Sequence, residues 1–155
     1  MLGKTLDELG IGESPAPKHV AIKESVFPFT KLPGTDTLPA SDWREIRSAV
    51  ESQRAALVAG DAERAYGYAS RGIREQFGDA DTFLMMVRLA YAALIDARDA
   101  ELLDGAVIDG EVIQPFRLVL PDNTVLVALY TMVRERNGAW RINGCVLAPS
   151  TLKAV

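Results

Sequence analysis

The chain is poor in the residues from which most enzyme and metal sites are built. It has one cysteine, Cys145, and one histidine, His19. A single cysteine forms no intramolecular disulfide, and a single histidine removes every metal motif that needs a His pair. A metal site would have to be assembled from oxygens, and the sequence holds no Asp/Asn-rich loop of calcium-binding spacing. The G-x-G-x-x-G, Walker and G-x-S-x-G patterns are missing. No metal and no cofactor are therefore expected.

Long apolar runs and excess positive charge are lacking too. The longest mostly apolar stretch, 83–95, is interrupted by Arg88 and falls short of the roughly 18 residues of a membrane span. Asp7 and Glu8 stand where a secretory signal would place its apolar core, so no signal peptide is expected and a cytoplasmic protein is the default. A formal charge of −4 and a pI near 5.0 argue against nucleic-acid binding. Arg134 and Arg136 are separated by Glu135, which reads as a solvated strand end.

What is present is an ordinary globular composition, 48% hydrophobic and 25% charged, long enough at 155 residues for one domain and a tail. Residues 1–41 stand apart: five of the eight prolines fall there (Pro15, Pro17, Pro28, Pro33 and Pro39), a density that prevents regular helix. This stretch reads as an extended arm, the domain as 42–150, and 151–155 as a tail.

At Asp42 the character changes. Asp42 and Glu45 have the spacing of a capping box, and Trp43, Ile46, Val50, Gln53 and Leu57 recur at helical period until Gly60. Asp61 opens a second helix bearing Ala62, Ala65 and Tyr66. Residues 70–78 read as a connector with at most one helical turn. Asp79 or Asp81 caps a third helix with Phe83, Leu84, Val87, Tyr91 and Leu94, whose further apolar residues Met85, Met86 and Leu89 require cover on most sides.

From about Arg98 the period becomes two, giving strands near 98–108, 111–120, 124–135 and 139–147. Asp109-Gly110 and Asn137-Gly138 predict two-residue hairpin turns, and 121–123 the turn between them. Pro115, inside the second strand, implies a bulge or an edge position. The fold class is α+β: three N-terminal helices packed on a curved four-stranded antiparallel meander. In the last strand, Trp140, Ile142, Gly144 and Val146 share one face, and Arg141, Asn143, Cys145 and Leu147 the other.

The third strand is apolar on both faces, with Val125, Val127, Leu129, Thr131 and Val133 opposite Leu126, Ala128, Tyr130 and Met132. Helices cover one face only. A homodimer through the other is the expectation, with Cys145 on that dimer side, and the proline-rich arm is the competing cover.

The sequence resembles the nuclear transport factor 2-like (cystatin-like) superfamily, and within it an uncharacterised family of unknown function. The resemblance rests on 43–47 (WREIR), 60–66 (GDAERAY), 72–78 (GIREQFG), 83–88 (FLMMVR), 128–131 (ALYT) and 138–145 (GAWRINGC), and spans about 42–150. It implies a cone-shaped domain in which helices close one sheet face over an apolar interior. Tyr66, Phe77, Tyr91, Phe116 and Trp140 would line a pocket for a small apolar ligand, or else fill the interior. Arg74 would anchor a ligand carboxylate or phosphate, or else pair with Glu75 or Asp79. Shared fold transfers no activity.

The residues favour a non-catalytic domain that binds a small apolar ligand or serves as an interaction module. The alternative is an isomerase or cyclase using an inward acid (Asp99, Glu101 or Asp104) with Tyr66, Tyr91 or Tyr130 as hydrogen-bond donor. Dehydratase chemistry would need a pocket histidine, and His19 lies in the arm. Cys145 has no domain histidine to draw off its proton and reads as a packing residue.

Overall fold

The computed structural model describes residues 37–150. The tail at 151–155 and nearly all of the proline-rich arm lie outside the described residues. Five helical segments precede the sheet: α1 (Ala40–Ala59), α2 (Ala62–Gly67), α3 (Arg71–Phe77), α4 (Ala80–Ala90) and α5 (Ala92–Asp96). The strands are β1 (Asp99–Leu102), β2 (Ala106–Ile108), β3 (Glu111–Val119), β4 (Val125–Arg134) and β5 (Trp140–Pro149). All pairings are antiparallel, in the order β1-β3-β4-β5 with β2 also on β3, so the sheet is an open meander.

Local chemistry accounts for most helix ends. Gly60, at φ 73°, closes α1, and the Asp61 N–H returns to the Ala56 carbonyl at 2.8 Å. The carboxylates of Asp61 and Asp79 accept from the N–H groups of Arg64 and Thr82, capping α2 and α4 as their positions predict. The 70–78 connector is instead a full short helix, α3: the Ser70 hydroxyl accepts from the Ile73 N–H, and Gly78 stops it at φ 85°. The expected third helix is broken at Tyr91 (φ −133°, ψ 37°) into α4 and α5. Among the described residues, five helical segments stand where three helices were expected.

The capping box is also corrected. Pro39 precedes α1, and no side chain caps it. Asp42 pairs with Arg134 at 3.4 Å, and Glu45 accepts from the Trp140 N–H at 3.0 Å. Both acids are spent on holding α1 to the turn end of the β4–β5 hairpin. Arg54 ties the other half of α1 to the end of α5, donating to the carbonyls of Leu94 at 2.8 Å and Ala97 at 2.7 Å. Buried Gln53 donates to the Ala65 carbonyl at 3.1 Å.

The predicted first strand is two strands, because of Pro115. Leu102 pairs with Phe116 and Ala106 with Ile113, so residues 103–105 face only 114 and 115, which is a bulge. The Leu103 N–H donates to the Pro115 carbonyl at 3.1 Å, but proline has no N–H to return. The Gln114 side-chain amide supplies that donor, reaching the Leu103 carbonyl at 2.7 Å. Gly105 passes so close to Trp43 that a Cβ there would lie 2.3 Å from the indole Cζ3.

Asp109 (φ 51°) and Gly110 (φ 81°) form the expected two-residue turn. Asn137-Gly138 does not. There the Glu135 N–H bonds the Ala139 carbonyl and the Gly138 N–H bonds the Glu135 carbonyl, so the loop is three residues, 136–138, with only Gly138 left-handed. The Asn137 carboxamide oxygen accepts from Ala139 and makes the longer loop self-sufficient.

A second bulge changes the faces of β5. Thr131 pairs with Gly144 but Met132 with Ile142, leaving Asn143 as the extra residue. Trp140 and Ile142 face the helices, as expected. Beyond Asn143 the alternation inverts: Cys145 lies opposite Tyr130 on the helix side, and Gly144 and Val146 move to the outer face. The assignment of Cys145 to the dimer side is therefore corrected. The core forms between α1, α2, α4 and the helix-facing row Val112, Phe116, Leu118, Ala128, Tyr130, Met132, Trp140 and Ile142. Phe83, Leu84 and Val87 of α4 enter it, but Met85 and Leu89 are 62% and 81% exposed, so α4 is not covered on most sides.

Candidate functional site

The five aromatic residues expected to line a pocket are distributed over separate packing contacts around one core. Tyr66 is half-buried against Phe83, ring centroids 5.7 Å apart, and its hydroxyl donates to the Arg74 carbonyl. Phe77 meets the same Phe83 edge-on at 5.9 Å. Phe116 packs on Tyr130 at 6.2 Å. Trp140 is buried beside α1 with the Arg134 guanidinium 5.6 Å above its ring. Tyr91 donates to the Cys145 carbonyl at 3.2 Å. Trp140 thus points towards the helices, and the aromatics touch one another or their neighbours.

Arg74 turns inward, donating to the Ala69 carbonyl and facing Glu135 at 3.9 Å. Its ionic partner is Glu135, not Glu75 or Asp79. Arg71 takes Glu75, at 2.9 Å along one face of α3.

The groups needed by an isomerase-type site are apart. Asp99, Glu101 and Asp104 are exposed; Glu101 faces Arg117 at 3.7 Å and Asp104 faces Arg47 at 3.9 Å. The hydroxyls of Tyr66 and Tyr91 are bound to backbone carbonyls. The Tyr130 hydroxyl is buried without a hydrogen-bond partner, as are Gln114 Oε1 on the adjacent strand and the Trp140 indole N–H. Burial, followed by the nearby Cys145, raises the pKa of both Tyr91 and Tyr130, and burial raises that of the Cys145 thiol. These three groups stay protonated at neutral pH, so Cys145 is no thiolate nucleophile. Among the described residues no group of three or more His, Cys, Asp or Glu is placed to hold a metal ion, and no helix is long and apolar enough to cross a membrane.

A concave site absent from the sequence reading lies where α3 meets the β4–β5 hairpin. This open cleft of about 470 Å³ is lined by Ser70–Gly72, 133–137 and Asn143. Its wall is set by a short parallel bridge: the Ser70 N–H donates to the Ile142 carbonyl at 2.7 Å, and the Ile142 N–H to the Tyr68 carbonyl at 2.8 Å. The bulge at Asn143 brings its carboxamide to the Ser70 hydroxyl, which donates to Oδ1 at 2.8 Å. Glu135 crosses the cleft and accepts from the Arg71 N–H at 2.6 Å. The one available signal was Asn143-Gly144 inside a strand pattern, since a glycine there marks a bulge.

Residues 39–155 match a protein family described as "Domain of unknown function (DUF4864)". The chain belongs to that family. Matches to curated proteins are short. The chain is 57% identical over 44 residues to the carbamoyl phosphate synthase large chain of Synechocystis sp., which is 28% of this chain and 4% of that protein. It is 64% identical over 36 residues to the same-named protein of Archaeoglobus fulgidus, 23% of this chain and 3% of that one. The chain thus spans 3–4% of the length of these curated relatives. No solved structure matches the chain.

Proposed function

We propose that this member of the family is a non-catalytic interaction module on a nuclear transport factor 2-like scaffold, pairing with a second copy through the outward face of its sheet. The observation that carries the reading is a transverse apolar row on that face, Pro115–Leu129–Val146, whose members are directly paired across β3, β4 and β5. The rows beside it are Ile113–Thr131–Gly144 and Arg117–Val127–Ala148, and charge stands at the margins, with Arg117 held by Glu101 on one side and Arg141 opposite Val133 on the other. Pro115 and Ile113 are buried, Leu129, Val127 and Val133 are half-buried, and Val146 is 40% exposed. The face of an antiparallel sheet turned away from its helices ordinarily alternates to polar residues, and the central rows of this one do not.

A small apolar ligand inside the domain has less support, because Tyr66, Phe77, Phe83, Phe116 and Tyr130 already pack as ring pairs. Sedimentation equilibrium tests the reading. The wild type is expected to be dimeric at micromolar concentration and Leu129→Asp monomeric with unchanged circular dichroism. A monomeric wild type at that concentration overturns it.

A further inference from the structure

We infer that the cleft between α3 and the β4–β5 hairpin binds a small oxyanion, a carboxylate or phosphate group of a metabolite. The inference follows from an imbalance between donors and acceptors and is independent of how the sheet face is used.

The side-chain acceptors in the cleft are already engaged. Asn143 Oδ1 takes the Ser70 hydroxyl, the Ser70 oxygen takes the Ile73 N–H, and Asn137 Oδ1 takes the Ala139 N–H. Glu135 takes the Arg71 N–H on one oxygen and faces Arg74 with the other. The donors are not engaged to the same degree. Arg136, exposed on the three-residue loop, makes no hydrogen bond or ion pair among the described residues, nor do the Nδ2 groups of Asn137 and Asn143. Of the three arginines that line the cleft, Arg71 is paired with Glu75 and Arg134 with Asp42, so Arg136 carries the open positive charge.

A site with open donors and occupied acceptors favours a ligand that only accepts hydrogen bonds, which is the chemistry of an oxyanion. The guanidinium of Arg136 supplies the planar, charged donor, and the Asn143 amide, fixed through its oxygen by Ser70, supplies a neutral one. The bulge is what presents Asn143 to this cleft; regular alternation would bury or redirect it. Gly72 keeps the floor open. A Cβ there would sit 3.9 Å from the Ser70 hydroxyl and 4.0 Å from Asn143 Oδ1, ordinary contact distances, so a larger side chain fits the helix yet occupies the cleft. The cleft volume of about 470 Å³ suits a metabolite-sized molecule. Arg74 is no part of the site, being turned to the Ala69 carbonyl.

The test is a titration of the full-length ¹⁵N-labelled protein with inorganic phosphate and, separately, succinate, followed by two-dimensional NMR against sodium chloride at matched ionic strength. Saturable shifts at Gly72, Asn137 and Asn143 are expected with at least one of the two anions and not with chloride. Arg136→Gln should weaken the binding about tenfold or more, as loss of a charged hydrogen-bond donor does. Gly72→Leu should abolish it while the thermal melt stays cooperative, and Leu129→Asp, which tests the sheet face, should leave it intact. Shifts that do not saturate, that chloride reproduces, or that survive both Arg136→Gln and Gly72→Leu overturn the inference.

Discussion

The carboxylate of Glu45 accepts the backbone N–H of Trp140 at 3.0 Å, joining the first turns of α1 to the first residue of β5 across 95 positions of sequence. Asp42 does the same work one turn earlier, through Arg134. Glu45→Ala is expected to lower the unfolding free energy by about 1 kcal/mol, because the Trp140 N–H loses its acceptor. Glu45→Gln retains an oxygen in place and should recover most of that loss. Urea unfolding of the pair measures it, and equal losses in both variants would count against the contact.

Two glycines should respond oppositely to alanine. At Gly105 the new Cβ would lie 2.3 Å from Trp43 Cζ3 and 2.9 Å from the backbone oxygen of Ile113, which cannot move aside. Gly105→Ala is expected to destabilise by about 1–3 kcal/mol through overpacking. At Gly67, in the last turn of α2, nothing stands within 4 Å of an added Cβ. Gly67→Ala should raise stability by up to about 1 kcal/mol. Thermal melts of the two variants report both signs.

Buried Tyr130 and half-buried Tyr91 should also part company. The Tyr130 hydroxyl is buried and unpartnered, so Tyr130→Phe removes a desolvation penalty and is expected to be neutral or stabilising by about 1 kcal/mol. Tyr91 bonds the Cys145 carbonyl, and Tyr91→Phe should cost about 1 kcal/mol. A loss in Tyr130→Phe as large as that in Tyr91→Phe would contradict the assignment of an unpartnered hydroxyl.

Burial raises the Cys145 thiol above its ordinary value of 9.0. Below that value both folded and unfolded chains keep the thiol neutral, and the stability it contributes is complete. Above it the unfolded chain ionises and the folded one does not, so stability falls with rising pH, by at most about 1.4 kcal/mol per pH unit. Cys145→Ala should flatten the decline just above pH 9, leaving the later loss from Tyr91 and Tyr130, both raised above 10.0. Denaturation midpoints between pH 7 and 11 test this. Thiol labelling of the native protein should be slow until denaturant is added.

What the sequence made legible was whatever local chemistry decides. Asp61 and Asp79 cap helices because their own next turn supplies the donors, and Asp109-Gly110 turns because its backbone must go left-handed. Asp42 and Glu45 have the same local credentials, yet their partners are Arg134 and Trp140, which no window of sequence around them contains. Face assignments in β5 held up to Ile142 and inverted afterwards, since one inserted residue, Asn143, shifts every later side chain. The cleft went unseen for the same reason: Ser70 and Asn143 meet only after α3 forms and the bulge is in place. The aromatic candidates were recognised as interior residues, but a sequence does not say which rings touch.

The parallel bridge from Tyr68–Ser70 to Ile142 has a consequence for how this protein avoids sticking to itself. It takes up the outward N–H and carbonyl of Ile142 near the start of that edge, and Asn143 kinks the strand just beyond. The opposite edge is cut in two at 103–105, where Pro115 offers no regular ladder to extend. Among the described residues, a foreign strand would therefore find the β1–β2 border interrupted and the start of the β5 border already occupied. If copies pair as proposed, side-chain packing over a face is finite and stops at two, whereas backbone pairing along an edge need not stop.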